Sequence, residues 1–148
     1  MLGFKELREA IIDKINNDLQ ELDPANRKIA VAIWTPADMK TEQQPAAIVL
    51  PEELDTSYQE TMDSRRRVFI FRVHLVEEIA NREQTEVEKE ISDGADYLIN
   101  LFDRKDALTL TGLLTIKPTP GVWGNVELPS GWARVATITL RCDVIEDN

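Results

Sequence analysis

The histidine at position 74 is the first candidate for chemistry, since it is the one histidine in the chain. A histidine acts as a general acid or base when a nucleophile or a carboxyl group lies within hydrogen-bond reach. Glu78 and Asp143 are the carboxylates that we consider as its partners. Because the sequence contains neither GxSxG nor HExxH, we expect no catalytic residues and interpret His74 as a half-exposed strand residue with local hydrogen bonds. An enzyme that uses His74 with Glu78 or Asp143 is the alternative hypothesis.

Metal and cofactor chemistry has little support in the sequence. Cys142 is the single cysteine, so no disulfide forms within the chain and no thiolate zinc site can be built. Its place on the apolar side of a predicted strand indicates a buried structural thiol. The acidic stretch DTSYQETMD at 55–63 lacks the spacing and the glycine of a calcium loop. Glycine-rich phosphate-binding motifs are also absent, and we expect no metal and no cofactor.

Arg65, Arg66 and Arg67 form the one dense basic cluster in the sequence, and Arg72 follows on the same predicted strand. The cluster is consistent with phosphate binding, with a solvated strand start balanced by the preceding acids, or with contact to another subunit. The chain carries a formal net charge of −10, which disfavours binding to nucleic acid. Because like-charged copies repel each other, arginines that meet a neighbour's carboxylates would favour assembly. We therefore predict subunit contacts through Arg65, Arg66, Arg67 and Arg72.

Two tryptophans lie in or beside a long segment, TPGVWGNVELPSGW at 119–132, which contains several turn-forming residues. A loop of this length in a compact domain usually has a function. Exposed Trp123 and Trp132 would then dock on another protein. In the alternative interpretation, the segment is a β-hairpin that folds back over the core, with the tryptophans covering it. The sequence leaves both interpretations open.

Hydrophobic periodicity predicts the elements that must position these residues. Apolar residues spaced by three and four indicate two amphipathic helices, one from Phe4 to about Asp23 and one over 84–103. Alternating apolar residues predict the strands, with a loop or frayed strand ends at 52–64 and the long segment at 119–132 between the last two strands. The predicted strands are KIAVAIW at 28–34, AAIVLP at 46–51 (ended by Pro51), RRRVFIFRVHLVEE at 65–78, ALTLTGLLTIKP at 107–118 and ARVATITLRCDVIE at 133–146.

This order of elements predicts a single α+β domain over residues 1–148. We expect a mostly antiparallel sheet with two helices packed on one face and a long β-hairpin. The first residues lack the apolar region of a signal peptide, and no apolar run is long enough to span a bilayer. We therefore expect a protein that does not bind membranes and is made in the cytoplasm.

The same order of elements resembles the tail terminator or tail-completion proteins of long-tailed bacteriophages. The closest similarity is the apolar strand RRRVFIFRVHLVEE, followed by a helix that begins acidic and ends apolar, EVEKEISDGADYLINLF. A hairpin that closes in GWARVATITLRCDVIE completes the pattern. The resemblance covers most of the chain and rests on the kinds and sizes of elements, without a short diagnostic motif.

The resemblance implies a structural virion protein and no enzymatic activity. Such a protein forms a homo-oligomeric ring, usually of six copies, on the last ring of tail-tube protein at the head-proximal end, or neck, of the tail. The ring ends tube polymerisation and joins the tail to the head–tail connector protein, and it assembles in the host cytoplasm. DNA would pass through the lumen of an acidic ring without specific binding. Two alternatives stay open: another neck protein, such as a head-closure or head–tail adaptor ring, and a small nucleic-acid-binding module.

Overall fold

The computed structural model describes residues 2–22, 46–58, 64–79, 83–104, 107–128 and 131–147. Within these ranges the chain forms two helices and one sheet of four strands, in the order β1-β2-β4-β3. The elements are α1 (Phe4–Leu22), β1 (Ala46–Tyr58), β2 (Ser64–Glu78), α2 (Gln84–Phe102), β3 (Leu113–Leu128) and β4 (Gly131–Asp147). Each neighbouring pair of strands is antiparallel. The α+β prediction is therefore confirmed. The predicted strand at 28–34 lies outside the described residues.

Both helices pack on the same face of the sheet, which we call the inner face. Alternation along β2 places Phe69, Phe71, Val73 and Leu75 on this face, and all four are buried. The apolar stripe of α1 (Leu7, Ile11, Ile15) and that of α2 join them in one core cluster. The apolar residues of the helices recur with the helical period and those of β2 with the strand period. Each element therefore has one apolar side, and packing the helices on the inner face buries these sides against each other.

Aromatic and polar contacts hold α1 against the sheet. The ring of Phe4 meets the rings of Phe69 and Phe71 edge-on, with centroid distances of 4.8 and 5.6 Å. The buried Arg8 donates from Nε to the carbonyl oxygen of Val49 in β1 at 2.6 Å. A charged hydrogen bond to the backbone offsets part of the cost of burying the guanidinium, so Arg8 fixes where α1 lies relative to β1.

The close approach of α2 to β2 depends on a glycine. Gly94 is buried on the sheet side of α2. A Cβ atom at this position would lie 2.6 Å from Cδ2 of Leu75, which is shorter than carbon–carbon van der Waals contact. The missing side chain therefore sets the distance between helix and sheet.

The structure corrects one prediction about β1 and decides between the two interpretations of the residues that follow Pro51. Pro51 does not end the strand: β1 continues to Tyr58, with a register shift between Pro51 and Glu53. Proline is tolerated here because β1 is an edge strand in the described sheet and because the bulge accommodates the missing N–H. Residues 52–58 are consequently strand, as the second of our two interpretations of 52–64 held, and residues 59–63 lie outside the described residues.

The structure decides between the two interpretations of the segment 119–132: its described residues belong to the two strands of a hairpin. β3 runs through to Leu128 and pairs with β4 beyond an irregularity between Pro120 and Trp123. Gly121 makes this irregularity possible, since a Cβ atom there would overlap the carbonyl oxygen of Thr137. The hairpin extends the edge of the sheet and does not fold over the core. The predicted strand at 107–118 begins only at Leu113.

Candidate functional site

The second face of the sheet carries most of the candidate residues. No helix in the described ranges packs on this face, which we call the outer face. Alternation in β2 places Arg72 and His74 here, between the inward-facing Phe71, Val73 and Leu75. The partner positions on β4 are Thr139 and Thr137. The outer face has a charged half and an apolar half, and His74 lies where they meet.

The charged half contains a group that we call the basic cluster: Arg66, Lys117 and Arg141, gathered near the carboxylate of Asp143. Oδ2 of Asp143 is 3.4 Å from the guanidinium of Arg66, and Oδ1 is 3.4 Å from Nε of Arg141. Thr115 donates its hydroxyl to the same carboxylate at 2.9 Å. Lys117 is exposed and lies opposite Arg141 in the β3–β4 register.

The charged groups of the basic cluster differ in how far they are exposed. The guanidinium groups of Arg66 and Arg141 both contact the carboxylate of Asp143. The side chain of Asp143 is 6% exposed, whereas those of Arg66 and Arg141 are 36% and 52% exposed. The carboxylate is therefore held inside, while the two guanidinium groups lie closer to solvent.

Arg72 has a partner within its own chain. Its Nε lies 2.6 Å from Oε2 of Glu52, and both side chains are partly exposed. This pair neutralises the centre of the outer face. Of the four arginines predicted to make subunit contacts, Arg66 and Arg72 thus contact carboxylates of the same chain. Arg67 is half-buried, and the side chain of Arg65 lies outside what the structure describes.

The apolar half is a shallow groove, which we call the apolar groove. It is bordered by β1 on one side and by β3 on the other, and its lining includes Ile48, Leu50, Val76, Val122, Val126 and Val135. The apolar side chains of Val122 and Val126 are 76% and 38% exposed, whereas valine is usually buried. Trp132, 56% exposed, lies near the end of the same hairpin but does not line the groove, since it alternates with Arg134 and Ala136 on the inner side. Large exposed apolar side chains grouped in this way are typical of binding surfaces.

The two predicted docking tryptophans differ in their environment. Trp123 is partly buried and packs against the main core cluster, as the hairpin interpretation held for it. Trp132 projects into solvent, as the docking interpretation held. Register places both side chains on the inner side of the hairpin, since Trp123 pairs with Ala136 and Trp132 alternates with Arg134 and Ala136. Trp132 is the more exposed because it lies nearer the end of the hairpin.

His74 has a hydrogen-bond partner but no catalytic neighbour of the kind that we considered. Its Nδ1 lies 2.9 Å from Oγ1 of Thr137. Glu78 is four residues away on the same strand, about 13 Å along it, and Asp143 is six residues from Thr137 on β4, about 20 Å away. Burial lowers the pKa of the imidazole, the positive charge of Arg72 lowers it further, and Glu52 acts in the opposite direction. His74 is accordingly neutral at pH 7, and the structure brings neither proposed carboxylate to it.

Cys142 is buried on the inner face and belongs to the main core cluster. Burial, together with the negative charge of Asp143, raises the pKa of its thiol to about 12. The thiolate that nucleophilic chemistry needs is therefore scarce at neutral pH.

The side of α2 that faces away from the sheet is acidic. Glu86, Asp93 and Asp96 are exposed there, and Asp103 follows at the end of the helix. Lys89 is the one basic residue within α2. We call these four carboxylates the acidic face. Its C-terminal end approaches β3, since Asp103 and Lys117 line the same pocket.

Two residues of the basic cluster, Lys117 and Arg141, were not among the predicted site residues. Arg141 alternates with the apolar residues of β4, but only the register brings it beside Lys117 and Arg66. In the described residues, no three histidine, cysteine or acidic side chains are grouped closely enough to hold a metal ion. No described helix is long and apolar enough to cross a membrane.

Comparisons with known proteins do not add a family to these observations. The sequence matches no protein-family model, and a search of curated proteins finds no match.

Proposed function

We propose that this chain is a structural virion protein that acts by assembling with copies of itself. In the function that its resemblance implies, a ring of subunits caps the head-proximal end of a phage tail tube. The ring ends tube polymerisation and offers the surface to which the head connector binds. The action is geometric: a bound subunit covers the growing edge of the tube and presents a different surface on its other side.

The exposed apolar surface at the hairpin end carries this proposal. Apolar side-chain area is exposed at Val122, Val126 and Trp132. This area does not stabilise a monomer, whereas its burial stabilises an interface by roughly 25 cal/mol per Å². By contrast, the polar groups of the outer face mostly contact each other, as in Arg72–Glu52 and His74–Thr137. This pattern supports a surface for protein contact more than a substrate pocket.

Assembly is tested by measuring the native mass of the purified protein by light scattering and imaging it by electron microscopy, alone and with tail-tube protein. We expect a closed ring with a central hole, alone or on tube ends. Virions assembled without the protein should carry tails of unregulated length that do not join heads. Tails of normal length joined to heads in its absence would overturn the proposal.

The docking surface is tested with the double variant Val122→Ser, Trp132→Ser. Both side chains are exposed, so the variant should fold normally while losing its binding to the tube. Leu114→Ser is the matched control, because Leu114 is also an exposed apolar residue of β3 (52% exposed) but lies near the opposite end of the strand. Equal binding by the double variant and the control would exclude the hairpin end as the docking surface.

A further inference from the structure

We infer that the outer edge of β3, over residues 122–128 at the hairpin end, pairs with the same edge of a second copy of the chain. The two strands run antiparallel and are related by a two-fold axis at Asn125. The inference goes beyond the proposed function, because neither ring closure nor tube binding requires a two-fold contact between copies. Its basis is the direction in which the backbone groups of β3 point.

Two hydrogen bonds show which way the backbone of β4 points. The N–H of Ile79, directly after β2, donates to the carbonyl oxygen of Trp132 at 2.9 Å. On the other side, the N–H of Ile145 donates to the carbonyl oxygen of Gly112, directly before β3, at 2.8 Å. Backbone groups alternate in direction along a strand, and β4 pairs with β2 without a register shift. Even-numbered residues of β4 therefore point to β2 and odd-numbered ones to β3. A residue of β3 opposite an even-numbered residue of β4 consequently points its N–H and C=O away from β4.

This alternation divides the outer edge of β3 into two parts. Pro118 and Pro120 both lie opposite even-numbered residues of β4, so both face the outer edge. Because proline has no N–H, it prevents another strand from pairing at such an edge. Trp123, Asn125 and Glu127 also face the outer edge, and each offers both an N–H and a C=O. We call these three residues the open edge, since no strand in the described part of the chain pairs with them.

The backbone of the open edge is complementary to itself. In an antiparallel pair centred on Asn125, this residue lies opposite Asn125 of the second copy, and Trp123 lies opposite Glu127. Each of these pairs exchanges two hydrogen bonds, which gives about six in all. Any other two-fold register pairs fewer of the three residues. Unpaired edge groups of this kind are a template for a further strand, and the same edge of a second copy supplies matching groups.

Side chains and charge permit this contact. On the outer face, Val126 of each copy lies opposite Gly124 of the other, and a Cβ atom on Gly124 would have nothing within 4 Å. Glu127 is the one charged residue in the stretch GVWGNVEL. The two Glu127 positions are offset by four residues, about 13 Å along the strands, whereas the Debye length at physiological salt is about 8 Å. The two sheets become continuous, and both apolar grooves lie on the same side.

Removal of a single edge-facing N–H tests the contact. Asn125→Pro should fold, since Pro118 and Pro120 already occupy equivalent positions of β3, and circular dichroism checks this. Asn125→Ala is the matched control: both variants lose the side-chain oxygen that accepts from Arg134 at 3.3 Å, but alanine keeps the N–H. Asn125→Pro should raise the dissociation constant of the pair by about tenfold or more. Light scattering should then show that the unmodified protein and Asn125→Ala have twice the mass of Asn125→Pro, whether single chains or rings are paired. Equal masses for all three proteins would overturn the inference.

Cross-linking gives a second readout that keeps every backbone N–H. Asn125→Cys should give disulfide-linked dimers on oxidation, because the two copies of this position face each other with Cα atoms about 5.5 Å apart. Glu127→Cys is the matched control: Glu127 is also exposed, but its two copies are about 13 Å apart, so this variant should remain unlinked. Cys142 is buried and should not contribute. Equal linking of the two variants, or no linking of Asn125→Cys, would contradict the register and overturn the inference.

The outcomes separate this inference from the proposed function. Single rings that cap tube ends, without the Asn125→Cys link and without a change of mass in Asn125→Pro, would overturn the inference and leave the proposed function standing. A two-fold pair that neither forms rings nor binds tube ends would support the inference and overturn the proposed function. An unmodified protein that remains monomeric both alone and with tube protein would overturn both.

Discussion

Replacement of Gly94 by alanine tests how closely α2 is seated on the sheet. In an exposed helix, glycine to alanine stabilises by about 1 kcal/mol. Here the new methyl group would lie 2.6 Å from Cδ2 of Leu75, which is fully buried. Overpacking of this kind costs about 1–3 kcal/mol. We therefore expect Gly94→Ala to destabilise the protein by about 1 kcal/mol, because the steric cost exceeds the gain in helix propensity.

The sign of the effect should reverse when the clashing atom is removed. Leu75→Val lacks both Cδ atoms, so in this background Gly94→Ala should stabilise by up to about 1 kcal/mol. Asn100→Ala is the control for helix propensity, since Asn100 is exposed on the same helix, and it should stabilise by about 0.5 kcal/mol. Urea unfolding followed by circular dichroism measures each free energy, provided that the slope of the transition is unchanged.

Two results would refute this reasoning. If Gly94→Ala stabilises the otherwise unmodified protein by about 1 kcal/mol, the added methyl group meets no obstacle, and α2 must lie further from β2 than a 2.6 Å approach to Leu75 implies. An identical effect of Gly94→Ala in both backgrounds would mean that Leu75 is not the residue that resists the methyl group, since coupling between contacting residues is what the cycle measures.

Three further predictions concern the titratable groups. With its pKa raised to about 12, Cys142 should not react with a thiol reagent at pH 8 until the protein unfolds; rapid stoichiometric labelling of native protein would contradict its burial. Because the folded-state pKa of His74 lies below the unfolded value of about 6.5, the unfolded state binds more protons and stability falls as pH drops below 6.5; His74→Gln should reduce this loss in urea titrations between pH 7 and 5, and an unchanged pH dependence would show that His74 is not responsible. Asp143→Ala should destabilise by about 1–2 kcal/mol, less than the 3–5 kcal/mol for breaking a fully buried pair because Arg66 and Arg141 are partly solvated; Glu52→Ala, at an exposed pair, should cost less than 1 kcal/mol, and equal costs would contradict the burial of Asp143.

Local patterns in the sequence predicted the helices and the central strand well. The spacing of Val87, Ile91 and Leu98 predicted the bounds of α2 to within a residue. The alternation in RRRVFIFRVHLVEE predicted which residues of β2 lie on each face of the sheet. These predictions succeed because the hydrophobic period of an element is set by its own residues, whatever element it packs against.

The errors occurred where the outcome depends on a neighbouring strand. Pro51 was interpreted as a strand end, but an edge position and a bulge tolerate it. The basic cluster could not be predicted for the same reason: Arg66, Lys117 and Arg141 are far apart in sequence, and only the pairing of three strands brings them together. The difference between Trp123 and Trp132 depends on how far along the hairpin each lies from the core, which the local sequence does not show.

The pairing of β2 with β4 has a mechanical consequence. All 15 residues of β2 pair with β4 without interruption, whereas the pairings of β1 and β3 each contain register shifts. The two central strands, β2 and β4, therefore form the rigid part of the sheet. The edge strands β1 and β3 can bend at their register shifts. The edge strands of such a subunit can change their curvature to fit a neighbouring subunit, while the pairing of β2 with β4 stays unchanged. Its central amides should be the last to exchange with deuterated solvent.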